Sequence, residues 1–403
     1  MRRSDHAGGR CHPVPESTTP IRAALAAAAD DWIVFDLDGI AALLRELPDI
    51  SVRFAMKACP VDEVLACLAR QGAGFDAASP PEIAQALRTG VPAERIDYGN
   101  TIKSDSNIAE AYRLGIRDFA TDSTEDVTAI AVHAPGSRVF CRLATSGDGA
   151  LWSLSRKFGC SAEDAVSVLE VARAAGLVPS GLSVHVGSQQ MTSEAWQSAL
   201  DRLAATVESL NRRGITLDHV NLGGGLPAVG CLDRQGRPLN PPLDKMFAVI
   251  REGTAWLREL SPSPLRFLME PGRHLVADHG AIRAHVARLS SRRQSAGTCS
   301  WLYLSCGKFN GLYEIDELQY RLEFPSHGGG EYVSAMVAGP TCDSDDAYAS
   351  DGGLVQVPRA VVSGDPVWIF SCGAYATAYT TDSNHSKSRS HSCLHAATTT
   401  TDS

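Results

Sequence analysis

The sequence predicts an α/β protein in which a TIM-like (β/α)₈ barrel precedes a second, mainly β domain, built as a sandwich or a barrel. First, short apolar runs alternate with helical patterns through the first part of the chain. Second, such a barrel takes about 250 residues, and the chain of 403 residues is long enough for the barrel and another domain. Third, the long helical patterns stop after about residue 280.

The apolar runs of the first part fit the strands of a parallel sheet because helical patterns separate them. The eight candidate strands are 52–56, 74–77, 96–99, 118–121, 138–144, 182–186, 218–222 and 265–269. Helical patterns fall between them, for example at 62–70, 81–89, 107–114, 161–175, 193–213 and 244–260. Ser161, followed by Glu163 and Asp164, is typical of a helix N-terminus.

Apolar runs separated by Gly, Pro and Asp predict the strands of the second domain, for example 301–304, 332–337 and 367–370. We expect the barrel to span 23–280, although its first segment, 23–36, could instead join the β domain. The β domain then spans 281–380. Residues 1–22 and 381–403 have too little apolar content to pack, and we expect a disordered arm and a disordered polar tail.

Composition argues against several classes of protein. Lys and Arg total 37 against 46 acidic residues, a formal net charge of −9, so a general affinity for nucleic acid or an anionic membrane is not expected. We find no apolar run long enough for a transmembrane helix and no signal peptide. The eleven cysteines include no CxxC pair, which favours reduced thiols over a disulfide framework. We therefore expect a cytoplasmic protein, without a metal site.

The carboxyl ends of the predicted strands hold the candidate site, because the active sites of such barrels lie at that end. One lysine, one histidine, one serine, two acids, two arginines and several glycines fall there. They are Lys57, Asp76, Arg142, His185, Ser188, Gly223, Gly224, Gly225, Glu270, Gly272 and Arg273.

These residue types match the chemistry of pyridoxal phosphate. At the end of an apolar strand, desolvation would depress the pKa of Lys57 and make its amine a nucleophile for a carbonyl. The glycines at 223–225 expose backbone N–H groups to a phosphate, and Arg273 can clamp it. Glu270 could pair with a protonated pyridine nitrogen, and His185 could stack on a flat ring.

Each of these residues also has a structural explanation when it is taken alone. Lys57 could extend into water, and the glycines could form a tight turn. Arg273 could bridge the two domains, Glu270 could pair with a structural arginine, and His185 could be an ordinary core residue. Their convergence on one end of one barrel favours the cofactor.

Seven motifs in a fixed order carry a more specific signal. They are Phe54-Ala55-Met56-Lys57-Ala58-Cys59, Phe75-Asp76-Ala77-Ala78-Ser79, His185-Val186-Gly187-Ser188, Leu222-Gly223-Gly224-Gly225, Glu270-Pro271-Gly272-Arg273, Gly339-Pro340-Thr341-Cys342-Asp343 and Gly373-Ala374-Tyr375. In these motifs the chain resembles the fold-type-III pyridoxal-phosphate decarboxylases that act on ornithine, lysine, diaminopimelate and arginine. The resemblance covers residues 32 to 379.

The resemblance implies a role for each matching residue. Lys57 would bind the cofactor aldehyde covalently, Glu270 would pair with the pyridinium nitrogen, and His185 would stack on the ring. The phosphate would be held by Gly223, Gly224, Gly225, Arg273 and Tyr375, next to Gly272. The ring and its phenolic oxygen would be lined by Asp76, Arg142 and Ser188.

The resemblance also implies a homodimer with shared active sites. Cys342 and Asp343 would come from the partner subunit. Cys342 would return a proton to the product carbon, and Asp343, with Glu314 or Asp316, would bind the distal ammonium of the substrate. Glu314 and Asp316 could equally be acids of a solvated loop.

The residues around Asp343 favour the ornithine and lysine branch, and hence the release of carbon dioxide and a diamine for polyamine biosynthesis. The alternatives are another amino acid, such as diaminopimelate, or a catalytically inactive regulatory homologue. The segment 380–384 departs from the aromatic-rich stretch that the family usually carries there. Because of this departure, the sequence does not assign the residues that line the substrate side of the site.

Overall fold

The computed structural model of the protein describes residues 19–47, 50–154, 156–294, 297–349, 353–379 and 390–394. Its strands, numbered along the chain, are β1 (Trp32–Asp36), β2 (Ser51–Ala55), β3 (Gly74–Ala77), β4 (Ile96–Tyr98), β5 (Asp118–Thr121), β6 (Arg138–Arg142), β7 (Ala150–Trp152), β8 (Val178–Ser183), β9 (Ser188–Gln190), β10 (His219–Asn221), β11 (Arg266–Met269), β12 (Gly280–Gln294), β13 (Gly297–Leu304), β14 (Leu322–Glu323), β15 (Tyr332–Ala338), β16 (Ala347–Tyr348), β17 (Val355–Pro358), β18 (Pro366–Phe370) and β19 (Ser390–Leu394).

The α-helices are α1 (Thr19–Ala27), α2 (Leu37–Arg45), α3 (Asp62–Arg70), α4 (Pro80–Arg88), α5 (Asp105–Arg113), α6 (Thr124–His133), α7 (Ala162–Ala174), α8 (Glu194–Arg212), α9 (Leu243–Leu260) and α10 (Arg273–Val276). Four of them begin after a serine whose hydroxyl accepts a hydrogen bond from a backbone N–H of the first turn, at Ser79, Ser104, Ser123 and Ser161. Such a cap is worth about 1 kcal/mol. The helix start predicted at Ser161 is therefore confirmed.

Eight parallel strands close a barrel in the order β10-β11-β2-β3-β4-β5-β6-β8, which confirms the predicted fold class. Each observed strand overlaps a predicted one. The largest difference is at β8, which ends at Ser183 rather than at residue 186. The chain turns there, with Gly187 at φ 94°, a conformation that glycine adopts without strain.

Buried phenylalanines lie on both faces of the barrel strands. Phe54, Phe75 and Phe119, on β2, β3 and β5, are fully buried in the core that the strands share with the helices, and the ring of Phe140 of β6 contacts the ring of His219 of β10, with centroids 5.4 Å apart. The helices between the strands cover the outside of the barrel, as α8 and α9 do where they contact each other. This packing leaves the carboxyl ends of the strands as the place where polar side chains meet.

The second unit is a nine-stranded sheet in which β12 pairs with β13 and β18. β1 pairs antiparallel with β12, so the structure places residues 32–36 in this sheet and not in the barrel wall. The mainly β character predicted for the chain after residue 280 is confirmed.

The two terminal segments differ from their predicted disorder where the structure describes them. Residues 19–22 begin α1, because Ile21 and Leu25 bury against Phe370 while Arg22 pairs with Glu323. Residues 390–394 form β19, which pairs in parallel with β1. The prediction of disorder is wrong for these residues. Residues 1–18, 381–389 and 395–403 lie outside the described part.

In the part of the chain that the structure describes, no helix combines the length and the apolar character needed to cross a membrane.

Candidate active site

The barrel brings the predicted lysine and acids to one mouth. Lys57 lies in a 3₁₀ turn, Met56–Ala58, directly after β2. Asp76 lies on β3 and pairs in register with Ala55 of β2. Glu270 follows β11 directly, and Arg142 ends β6. Parallel strands place these four side chains at the same end of the barrel.

Lys57 is exposed at this mouth, where neighbouring protein atoms displace part of its water. This desolvation lowers the pKa of the amine, but its interactions with Tyr375, Asp76 and Glu270 together raise it by more, and Arg142 opposes them weakly. The pKa of Lys57 is therefore raised, and the expectation of a depressed pKa is wrong. The acids keep the lysine protonated and lie close enough to influence its proton.

Asp76 and Glu270 are carboxyl groups that are largely shielded from water. Burial raises the pKa of Asp76 to about 6. Burial and the charge of Asp76 raise the pKa of Glu270 to about 8. Asn221 donates from Nδ2 to Oε1 of Glu270 at 2.5 Å, which favours the ionised form. The site therefore holds two acids whose protonation responds to a nearby positive charge.

His185 is a neutral imidazole in this site. Burial and the charges of Arg142 and Lys57 hold its pKa well below the ordinary range. The backbone N–H of Gly187 donates to Nδ1 at 3.1 Å, so the proton of the neutral ring is on Nε2. A neutral, oriented ring suits stacking on a flat cofactor better than proton transfer.

The glycine triplet forms a cradle beside this ring. Gly223 and Gly225 have φ of 67° and 123°. A Cβ on Gly224 would lie 2.9 Å from the carbonyl oxygen of Glu270 and 3.0 Å from Nε2 of His185. The N–H of Gly223 already donates to Oδ1 of Asn221 at 2.8 Å. The expectation that all three N–H groups are exposed is therefore wrong for Gly223.

Arg273, which is predicted to bind the phosphate, contacts Glu314, which is predicted to bind the substrate. Its guanidinium is 4% exposed, contacts Ser188 Oγ at 3.2 Å, and lies 4.7 Å and 5.0 Å from the ring centroids of Trp152 and Tyr375. Both Nη atoms bind the carboxylate of Glu314. Burial lowers the pKa of Arg273, but Glu314 raises it by more.

The remaining substrate-side residues lie apart from this cluster. Cys342 and Asp343 are exposed, and Asp343 makes its hydrogen bonds within its own loop, among them Oδ1 with the N–H of Asp345 at 2.9 Å. Asp316 is largely exposed and pairs with Lys308 at 2.7 Å. Within the described part of one chain, none of the three is paired with a residue of the barrel mouth. This placement is compatible with the expected contribution of Cys342 and Asp343 to the site of a partner subunit.

Sequence reasoning missed two residues of the site. Asn221, which binds both Glu270 and Gly223, lies two residues before the triplet at the end of a strand, and that position was the available signal. Trp152 lies on β7, a strand of three residues that pairs with β9. No sequence pattern indicated its contact with Arg273.

The residues present fit pyridoxal phosphate. Oδ1 of Asp76 and Nε of Arg273 are buried and have no hydrogen-bond partner among the described residues. The narrow space above Gly224 accepts no side chain, and a flat ring with a phosphate needs such a close approach. Lys57 and Glu270 supply an amine and a carboxyl group at the same mouth.

A family model for pyridoxal-dependent decarboxylases, covering their pyridoxal binding domain, matches residues 39–277. The chain belongs to this family. It is an amino-acid decarboxylase that uses pyridoxal phosphate, which confirms the predicted family, enzyme class and cofactor.

Known proteins match this chain over most of its length. An ornithine decarboxylase of Schizosaccharomyces pombe is 30% identical over 367 residues, which cover 87% of this chain and 80% of the relative. A lysine/ornithine decarboxylase of Selenomonas ruminantium is 30% identical over 343 residues, with coverages of 84% and 82%. The crystal structure of the Vibrio vulnificus lysine/ornithine decarboxylase complexed with cadaverine aligns with a TM-score of 0.81 at 28% identity, and it covers 93% of this chain and 98% of that chain.

The raised pKa of Glu270 predicts how the stability of the cofactor-free protein depends on pH. The folded state binds the proton more tightly than the unfolded state does, so the stabilisation is complete below pH 4.5 and is lost as the pH rises towards 8. The free energy of unfolding should fall over this range by on the order of a few kcal/mol more in the wild type than in Glu270→Gln. Urea unfolding at pH 5, 6.5 and 8 measures the free energy of unfolding of both proteins. An equal dependence of this free energy on pH in the two proteins would contradict the raised pKa of Glu270.

Proposed function

We propose that this decarboxylase acts on a basic L-amino acid of the ornithine or lysine type and releases carbon dioxide and the corresponding diamine. The observation that carries the proposal is the convergence of Lys57, Glu270 and Asp76 with the glycine cradle at one mouth. The relatives named above act on ornithine and lysine according to their names, which supports a substrate with a distal ammonium.

The residues of the barrel hold and orient the cofactor in this proposal. Lys57 provides the amine that binds its aldehyde, and the carboxylate of Glu270 holds a proton at the ring nitrogen. When bound, pyridoxal phosphate supplies the electron sink for the pair left by departing carbon dioxide. His185 covers one face of the ring. The phosphate would be bound by Gly224, Gly225, Arg273 and Tyr375, next to Gly223 and Gly272, and the ring with its phenolic oxygen would be lined by Asp76, Arg142 and Ser188.

Two kinds of acid bind the substrate's distal ammonium in the proposal. Asp343 comes from a second copy of the chain, and Glu314 or Asp316 comes from the same chain. Glu314 is buried and its carboxylate is paired with Arg273, so in this proposal it turns to the substrate's ammonium once Arg273 binds the cofactor phosphate instead. The active unit is then a homodimer with shared sites.

A screen for carbon dioxide release tests the substrate. Purified protein with pyridoxal phosphate is offered ornithine, lysine, 2,4-diaminobutyrate, arginine and diaminopimelate, and the borohydride-reduced protein is the control. We expect the highest kcat/KM with ornithine or lysine. A preference for diaminopimelate would contradict the proposed substrate, and cofactor binding without turnover of any amino acid would favour a regulatory role.

Cys342→Ala should lower the rate of diamine formation by about 10²- to 10⁴-fold, the usual contribution of a positioned proton donor. Some turnovers should instead end in transamination, because the proton is then delivered to the wrong atom. Product analysis by mass spectrometry measures the partition. Cys299→Ala, at a half-exposed cysteine of β13, is the matched control. An unchanged rate and partition in Cys342→Ala would remove this residue from proton transfer.

Mixing of two inactive variants tests the shared site. Lys57→Ala homodimers and Cys342→Ala homodimers each lack one essential group in both sites. Subunit exchange should produce heterodimers in which one of the two sites is intact. When half of the dimers are heterodimers, about a quarter of all sites are intact, so activity should reappear at about a quarter of the wild-type level. No recovery, with exchange shown by native mass spectrometry, would contradict a site built from two chains.

The biological setting follows from the proposed reaction. A diamine product supports a role in polyamine biosynthesis, and the absence of diamine depletion after gene disruption would contradict that role. The cytoplasmic location stays a prediction, which cell fractionation tests.

A further inference from the structure

Two cysteines outside the proposed catalytic machinery contact each other beside it. Cys141 lies on β6, directly before Arg142, and Cys160 lies directly before the cap of α7. Both are thiols, and their sulfur atoms are 3.5 Å apart. Neither took part in the sequence motifs.

Backbone hydrogen bonds hold the two cysteines together. The N–H of Cys160 donates to the carbonyl of Arg142 at 3.0 Å, and the N–H of Ala144 donates to the carbonyl of Cys160 at 2.8 Å. Leu143 and Cys160 thereby form an isolated parallel bridge. The contact between the thiols is therefore fixed by the chain on both sides and does not depend on side-chain rotamers alone.

The β6–α7 connection is described for residues 143–154 and 156–161. It begins after Arg142, contains Cys160 and reaches the cofactor side of the barrel. Trp152 lies over Arg273 at 4.7 Å, and Phe158 lies 5.0 Å from the guanidinium of Arg142. A bond between Cys141 and Cys160 would close the base of this connection. It would thus restrict the segment that covers two cofactor-side arginines.

We propose that Cys141 and Cys160 are a redox modification site: a low-molecular-weight disulfide, such as oxidised glutathione, converts them to a reversible intramolecular disulfide that fixes the β6–α7 connection to the barrel. The sulfur atoms must approach by about 1.5 Å to reach the length of a disulfide bond. Disulfides in a reducing compartment are more often regulatory than structural.

The order of the two steps follows from exposure. Cys160 is half-buried and Cys141 is buried, and contact with Cys160 together with burial raises the pKa of Cys141 well above its ordinary value. Cys160 is the accessible thiol of the two, and as a thiolate it attacks one sulfur of the external disulfide and displaces one thiolate. Cys141 then loses its proton and attacks the sulfur of Cys160, which releases the second. Two protein thiols are oxidised, and one external disulfide is reduced to two thiols.

Limited trypsin digestion tests the bond, because Arg156 and Lys157 are exposed and lie between the two cysteines. After cleavage there, only a disulfide between the two fragments keeps them joined in detergent. The holoenzyme is treated with oxidised glutathione, cleaved and run on a gel without reductant. We expect joined fragments that dithiothreitol separates, and a linked peptide pair containing Cys141 and Cys160 by mass spectrometry.

Variants that each lack one cysteine identify the two residues that form the bond. Cys141→Ser and Cys160→Ser should give separate fragments under the same treatment, and Cys160→Ala guards against a folding defect of the serine variant. Cys393→Ser is the matched control, because it removes a half-buried cysteine of β19 on the same fragment as Cys160, and its fragments should stay joined. Separate fragments from oxidised wild type, or from oxidised Cys393→Ser, would overturn the proposal.

The rate of cleavage tests whether the bond fixes the connection. Oxidised wild type should be cut at Arg156 and Lys157 at least about fivefold more slowly than oxidised Cys160→Ser, because cross-linking the base of a loop reduces its open conformations. Equal rates would overturn the proposed restriction. None of these readouts depends on turnover, so failure of the proposed substrate would leave the test valid.

Discussion

Lys57→Ala lowers kcat for the preferred amino acid by at least about four orders of magnitude in this account. The variant has no amine at the end of β2 to bind the cofactor aldehyde, and neighbouring residues cannot replace it, because the other groups at the mouth are acids, arginines and a neutral histidine. Carbon dioxide release with saturating cofactor measures the loss. Purified Lys57→Ala should also lack the yellow colour of the wild type.

The control for this prediction is Lys245→Ala, which removes an exposed lysine of α9 and should leave kcat unchanged. The thermal midpoints of the two cofactor-free variants should be similar, because neither lysine contributes to the core. Activity of Lys57→Ala within tenfold of the wild type would remove this residue from the mechanism.

Glu270→Gln lowers kcat by about 10²- to 10³-fold, or ~2.7–4 kcal/mol of transition-state stabilisation. Glutamine keeps an oxygen that can accept from Asn221, so the local fold is retained. It has no negative charge to hold a proton at the ring nitrogen, and the electron sink is weakened. Because Glu270 raises the pKa of Lys57, the variant should also bind the cofactor with a pH dependence shifted to lower pH.

Glu252→Gln, at an exposed glutamate of α9, is the matched control. Cofactor affinity in Glu270→Gln should change much less than kcat, since the phosphate-binding residues are untouched. A loss of affinity with unchanged kcat at saturating cofactor would contradict the proposed role, because it would make Glu270 a binding residue only.

Local patterns were sufficient to predict the barrel. A strand-length apolar run followed by a helical pattern defines one βα unit, and the eight units are visible from the sequence alone. Strands β7 and β9 were missed because each has three residues and contacts its partner across a long loop. The pairing of β19 with β1 depends on backbone hydrogen bonds between the two ends of the chain, which a polar tail does not reveal.

The site was predictable where strand topology decides position. Lys57, Asp76 and Glu270 meet because parallel strands end on one face. The pairing of Arg273 with Glu314 was not predictable, since Glu314 lies outside the barrel strands and only the folded chain brings it to the mouth. The raised pKa of Lys57 could not be predicted either, because its sign depends on the distances to four neighbouring polar groups.

Borohydride reduction of the holoenzyme, followed by digestion and peptide mapping, tests the central claim most directly. Reduction makes the bond between the cofactor and its lysine permanent, so the modified residue can be identified by mass. We expect the added pyridoxyl phosphate on the peptide that contains Lys57. Its presence on a different lysine, or on none, would contradict the account of this active site.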